Sequence, residues 1–259
     1  MYMIMSLENN ILELLNELRS YGATGLKAEF ESEGATFDDV LLLKQYADRV
    51  GLNLSLKIGG CEAVRDIFDA KKLAVDTIVA PMVETSFAMK KFVRAVKSVF
   101  SDDKKVQLLI NIETDTGIKN LDEILNIDNF EYISGIVVGR TDLSESLSIS
   151  EVDSSTMFNI VERIAKKMKL LNKQMILGGN ISPSSVTFLR NLPYLTNFET
   201  RKVIFDANKI VKSELLDEAI NKAIEFELLW LQNKILKSKE INQIDLNRLE
   251  VLKKRLTVR

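Results

Sequence analysis

Two short segments, Leu109 to Thr114 (LINIET) and Val138 to Ser144 (VGRTDLS), each set an acid at or just past the end of an apolar run. A strand that sends apolar residues to one side and polar ones to the other, then stops at an acid, is how a parallel β/α barrel builds a site at the C-terminal ends of its strands. Glu113 and Asp142 therefore pair as candidate ligands of a divalent cation, the alternative being that both are solvated loop acids. Period-two alternation supplies further polar groups for the same lumen. Lys27, Glu29 and Glu31 share one strand face opposite Leu26, Ala28 and Phe30, and Ser55 and Lys57 share one opposite Leu54, Leu56 and Ile58. A lysine turned inward is costly without a carboxylate partner or an anionic ligand. Lys57 is accordingly a candidate for binding substrate or for pairing with an acid. The same parity places Gln107, Leu109, Asn111 and Glu113 on one face, and Val138, Arg140 and Asp142 on another. Glu84 follows the Ala80-Pro81-Met82 strand end, and Gly178 and Gly179 offer bare backbone amides to an anion. Arg201 and Lys202 fall early in an apparent strand from Phe198 to Phe205, which would put them at the opposite end of the barrel.

The chain has no histidine. That excludes Ser-His and Cys-His nucleophile pairs and histidine-ligated zinc or non-haem iron. Acid-base chemistry must come from Asp, Glu, Lys, Tyr, the single Cys61 or metal-bound water, and a cation held by oxygen ligands points to Mg²⁺ or Mn²⁺. One cysteine permits neither an intrachain disulfide nor a cysteine metal cluster and suits a reducing compartment. With 35 basic and 37 acidic residues, no net field favours nucleic acid or an anionic membrane. The apolar residues 1–5 are too short for a signal-peptide core, and no run approaches a membrane span, so a cytoplasmic protein is expected.

Positioning these groups requires alternating strands and helices. Strands are expected at Thr24–Glu31, Asn53–Gly59, Thr77–Met82, Val106–Glu113, Gly135–Arg140, Gln174–Leu177 and Phe198–Phe205, separated by segments of helical period. That pattern predicts an α/β fold, a TIM-type (β/α) barrel over 1–212 with one strand irregular or missing, near Tyr21 or beyond Asp206. Ser6 opens an N-terminal amphipathic helix ending at Gly22, and Thr36 with Asp39 caps a helix that closes at Gly51. Residues 213–259 form a C-terminal helical extension. Its apolar run from Ile224 to Leu231 and its stripe of Leu246, Leu249, Leu252 and Leu256 exceed what one barrel readily covers, which predicts a homo-oligomer; the alternative is a hairpin folded on its own barrel.

An ordered series of motifs resembles the HpcH/HpaI aldolase and citrate lyase β-subunit family of the phosphoenolpyruvate/pyruvate barrels. It comprises Gly60 to Ala63 (GCEA), Ile78 to Thr85 (IVAPMVET), Asn111 to Thr114 (NIET) with Asn120 to Leu125 (NLDEIL), and Gly135 to Ser144 (GIVVGRTDLS). The resemblance extends from about Leu26 to Asp206. It implies a Mg²⁺- or Mn²⁺-dependent lyase acting on pyruvate, phosphoenolpyruvate, oxaloacetate or a related small 2-oxo acid through an enolate, with Glu113 and Asp142 as the metal ligands. Lys57 stands where the family has a substrate-binding Arg, keeping the charge and losing the bidentate fork. Asn111 stands where a Gln is common, and Arg140 could carry the displaced cation. The Glu-His base of the pyruvate aldolases is here Glu31-Ser32, which leaves Glu29, Glu31, Glu84 or metal-bound water to move protons. Two other chemistries remain open. One is a Schiff-base aldolase using Lys27 or Lys57, disfavoured because neighbouring acids raise a lysine's pKa. The other is a barrel that has lost its base and binds a metabolite or protein partner without turnover.

Overall fold

The computed structural model describes residues 2–100, 106–238 and 242–257. Eight strands close a barrel in sequence order: β1 (Ala23–Glu29), β2 (Asn53–Lys57), β3 (Thr77–Ala80), β4 (Gln107–Ile112), β5 (Gly135–Gly139), β6 (Gln174–Gly178), β7 (Asn197–Glu199) and β8 (Val203–Asp206). β1 to β7 run parallel, each paired with the next. β8 runs antiparallel to both its neighbours, β7 and β1.

The eighth strand, expected as irregular or missing, comes from the segment expected as one strand from Phe198 to Phe205. Thr200 breaks that segment: its backbone N–H donates to the Val203 carbonyl at 2.9 Å, and its Oγ1 accepts from the Val203 N–H at 3.2 Å. The chain reverses there and descends as β8. This overturns the expected placement of Arg201 and Lys202, which stand in a turn at the C-terminal mouth.

Alternation explains the two cores. Leu26, Ala28, Leu54, Leu56, Ile110, Ile112, Ile136, Val138 and Leu177 point outward and join one apolar shell with the surrounding helices. Val79, Leu109, Val137 and Ile176 form a separate cluster that plugs the lumen beneath the mouth. The expected parity holds in β1, β2 and β4 and fails in β5, where Val137 faces inward rather than Val138.

The helix expected to start at Ser6 begins earlier, spanning Tyr2–Ser20, and buries Ile11, Leu14, Leu15 and Leu18. Thr36 and Asp39 form the reciprocal capping box of the helix Phe37–Val50, and Gly51 ends it at φ 69°. The C-terminal helices, Leu216–Lys237 and Gln243–Thr257, fold back on their own barrel. Phe226, Trp230, Leu231 and Leu252 are buried there, Trp230 meeting Tyr46 edge-on at 6.3 Å. Lys234 holds Asp245 at 2.8 Å and Asp39 at 3.5 Å, tying the hairpin to the helix after β1. Much of the apolar run that argued for a homo-oligomer is thus buried within one chain, while Leu228, Leu229, Leu246 and Leu249 stay half-buried; the side chain of Leu256 lies outside the described residues. No helix among the described residues is long and apolar enough to cross a membrane.

Candidate active site

The parallel strands deliver their polar ends to one cavity of about 340 Å³ at the mouth. β1 contributes Lys27 and Glu29, β2 Lys57, β4 Asn111, and the residue just beyond β4 is Glu113. Gly139, Thr141 and Asp142 come from the junction of β5 with the helix Arg140–Ser146, and Glu199 from the end of β7. Glu113 is buried and accepts from the Met82 N–H at 3.0 Å and the Asn111 amide at 2.7 Å, with Lys57 Nζ at 3.4 Å. A Cβ at Gly139 would stand 2.5 Å from Glu113 Oε2, so only glycine lets this carboxylate lean against β5. Lys27 is clamped between Glu29 at 2.8 Å and Glu199 at 2.5 Å.

The charges explain one another. Burial opposes ionisation of Glu29, but Lys27 and then Lys57 outweigh it and hold the carboxyl well below the usual range, with Ser32 donating to it as well. Lys27 moves the other way: burial would lower its pKa, yet Glu199 and Glu29 raise it well above the ordinary lysine value. A lysine held so firmly as an ammonium cannot attack a carbonyl, which removes Lys27 as a Schiff-base nucleophile. Asp142 is pushed up by partial burial and then by the facing Glu113. Four carboxylates, Glu29, Glu113, Asp142 and Glu199, stand against the two ammoniums of Lys27 and Lys57, so the floor is formally short of two positive charges.

The chain's own oxygen donors fit a divalent cation on that floor. Asn111 Oδ1 is buried with no hydrogen-bond partner beside Glu113, and Asp142 meets excess negative charge. Among the described residues no group of three His, Cys, Asp or Glu gathers at one point, so Glu113 and Asp142 would be the protein's charged ligands and water or substrate would supply the rest.

Other expected residues lie elsewhere. Arg140 is fully buried and points away from the cavity: it pairs with Asp153, donates to the Gly178 and Gly179 carbonyls at 3.2 and 2.9 Å, and stacks over Phe188. The reversed parity of β5 and the start of a helix at Arg140 turn it outward, so it binds structure rather than a substrate anion. Glu31 lies past the end of β1, exposed beside Gly59, and Glu84 accepts from Thr114 at 2.7 Å; neither lines the cavity. Burial pushes the Cys61 thiol up to about 11, which leaves it a weak nucleophile at neutral pH.

Of the glycine pair, Gly179 lines the cavity, while Gly178 lies beside Glu199. Gly179 has φ +82°, and a Cβ there would lie 2.4 Å from the backbone nitrogens of Arg140 and Thr141. Gly179→Ala is expected to destabilise the fold by roughly 3 kcal/mol, from backbone strain plus a clash that only backbone movement relieves; urea unfolding reads it, and an unchanged midpoint would contradict it.

The cavity wall includes charged residues not anticipated there from the sequence, among them Glu199, Glu227, Arg248 and Arg255. Glu199 was hidden by the unbroken reading of its strand. Arg248 and Arg255 are seven residues apart, hence on one helix face, and that spacing was the available signal.

The model of the family "HpcH/HpaI aldolase/citrate lyase" matches residues 56–177, a span that contains the whole motif series but is narrower than the resemblance from Leu26 to Asp206. A solved HpcH/HpaI aldolase/citrate lyase family protein from Burkholderia cenocepacia J2315 superposes with a TM-score of 0.57 at 13% identity, covering 67% of this chain and 77% of that one. An HpcH/HpaI aldolase from Desulfitobacterium hafniense DCB-2 gives 0.56 at 14%, covering 67% and 76%. A variant of the citrate synthase SbnG gives 0.55 at 14%, covering 76% and 81%. At such identities the structures establish a shared barrel fold. No curated protein matches the sequence. Over residues 56–177, the stretch that carries Lys57, Glu113 and Asp142, the chain matches a family of aldolases and citrate lyases, as its motifs indicated.

Proposed function

We propose that the protein is a divalent-cation-dependent lyase that makes or breaks a carbon-carbon bond next to a 2-oxo acid. The observation that carries this reading is the Glu113–Asp142 pair, on a floor short of two positive charges, inside the family-matched segment. Mg²⁺ or Mn²⁺ bound there would act as a Lewis acid toward the oxo acid's carboxylate and oxo oxygens and stabilise enolate charge. Lys57 stands at the end of β2, at the cavity wall, to hold the substrate carboxylate. The Asn111 amide fixes the Glu113 carboxylate, and its free oxygen can accept from a substrate hydroxyl or water. Of the three acids considered as bases, only Glu29 faces the cavity, and it is ionised, so it is the proton acceptor that the geometry supports.

The binding-only alternative has one observation in its favour. Glu29 is locked into ion pairs that lower its basicity, away from the match to working pH that favours general-base catalysis. Proton NMR of pyruvate in deuterium oxide, with protein and Mn²⁺, separates the two: the lyase reading expects enzyme-dependent loss of the methyl signal. No exchange, together with no cleavage of 4-hydroxy-2-oxo acids, would leave the binding reading in its place.

A further inference from the structure

The rim of the cavity carries a charge opposite to its floor. Arg201 from the β7–β8 turn and Arg248 and Arg255 from the helix Gln243–Thr257 line it together with Glu227. Just behind, Lys202 pairs with Glu33. Counting that pair, four cations face two carboxylates. Arg248 takes both oxygens of the buried Glu227, at 2.6 and 2.9 Å, while Arg201 divides itself between Glu33 at 3.2 Å and Glu227 at 3.8 Å. Arg255 is left over. Its one hydrogen bond among the described residues goes to the neutral Asn180 Oδ1 at 3.1 Å. Arg255 is exposed at the rim; the crowding of protein around its guanidinium, and then the neighbouring Arg248, push its pKa below the usual value against the pull of Glu227.

An arginine so placed, open to solvent beside a second guanidinium on the wall of a cavity and spending one donor on a neutral amide, keeps the rest of its fork for an anion. A carboxylate or a phosphate matches that fork in shape and charge. We propose that Arg255, backed by Arg248, forms a second anion subsite at the rim, and that the protein's substrate carries two anionic groups: an oxo-acid end on the floor and a carboxylate or phosphate at its far end. The proposal rests on the lyase reading for the floor end alone; the rim subsite stands on its own geometry.

Calorimetric titration of metal-free wild type and Arg255→Gln with inorganic phosphate and with malonate tests it. Wild type is expected to bind at least one anion, and Arg255→Gln to bind it at least tenfold more weakly. Arg255→Lys, which keeps the charge and loses the fork, should fall between them. Tighter phosphate binding marks a phosphorylated substrate and tighter malonate binding a dicarboxylic one. Failure of wild type to bind either anion, or equal affinity in Arg255→Gln, would overturn the subsite. Mn²⁺ titrated into the same two proteins reads the floor separately: failure to bind either would count against the metal reading and leave the rim result standing.

Discussion

Replacing Glu113 by glutamine is expected to weaken Mn²⁺ binding at least a hundredfold and to lower kcat/KM by about 10³, equivalent to ~4 kcal/mol of transition-state stabilisation. The substitution keeps the size of the side chain and removes its charge. It takes away one of the two charged ligands proposed for the cation and leaves Lys57, at 3.4 Å, without its acidic partner. It also puts an amide nitrogen where one of the two carboxylate oxygens now accepts, from the Met82 N–H or the Asn111 amide. Calorimetry with Mn²⁺ followed by oxalate separates the metal effect from any change in fold. Tight Mn²⁺ binding by the variant would remove Glu113 from the cation site.

Lys27→Met should produce the largest loss of stability, about 3–5 kcal/mol, because it strands two buried carboxylates, Glu29 and Glu199, with their ammonium gone. The pH dependence gives the sharper reading. Glu29 has a folded pKa below its unfolded one, so its contribution in wild type is fully present above about pH 4.5 and is lost as pH falls through the folded value. Lys27 has a folded pKa above its unfolded one, so its contribution is fully present below about pH 10.5 and is lost as pH rises through the folded value. Wild type should therefore hold the full contribution of this pair between those limits and weaken in acid. In Lys27→Met the main force lowering the Glu29 pKa is gone and burial raises it, so the variant's penalty is relieved as pH falls through that raised value toward about 4.5, and below 4.5 the deficit shrinks further as wild type loses its own contribution. Urea unfolding at pH 7 and at pH 4 checks both points, and an equal deficit at the two would contradict this account.

Much of this was legible in the sequence, for a physical reason that also marks where legibility stopped. Strands with one apolar face announce themselves by alternation, and in β1, β2 and β4 the alternation named Lys27, Glu29, Lys57, Asn111 and Glu113 as inward residues, where they are. β5 is apolar on both faces, as parallel strands covered on both sides are, so its sequence carries no parity. Arg140 was assigned to the lumen on a pattern that did not exist. The β7–β8 turn was missed because Thr200, Arg201 and Lys202 include neither Gly nor Pro, and a threonine hydroxyl bonding its neighbours makes the turn instead. The C-terminal helices were legible as helices. Where they pack is decided by buried polar contacts such as Lys234 with Asp39 and Asn233 with the Tyr46 hydroxyl at 3.0 Å, which no periodicity encodes.

The reversed β8 sets the direction of the two long helices that follow it. In an all-parallel barrel the last strand finishes at the mouth, and the helix after it must travel down to the far end, carrying the chain away from the chemistry. One antiparallel strand changes that count of directions. β8 finishes at the bottom, where Glu218 then meets Tyr21 at 3.1 Å just ahead of β1. After a short turn of helix, Ala207–Ile210, the helix Leu216–Lys237 has to climb, and its 22 residues rise about 33 Å, enough to regain the mouth beside Asp39. The final helix is thereby delivered across the opening, with Arg255 reaching Asn180 beyond β6. A three-residue turn in one strand thus decides that the helix Gln243–Thr257 is a wall of the cavity, so the cavity is incomplete until that helix has docked.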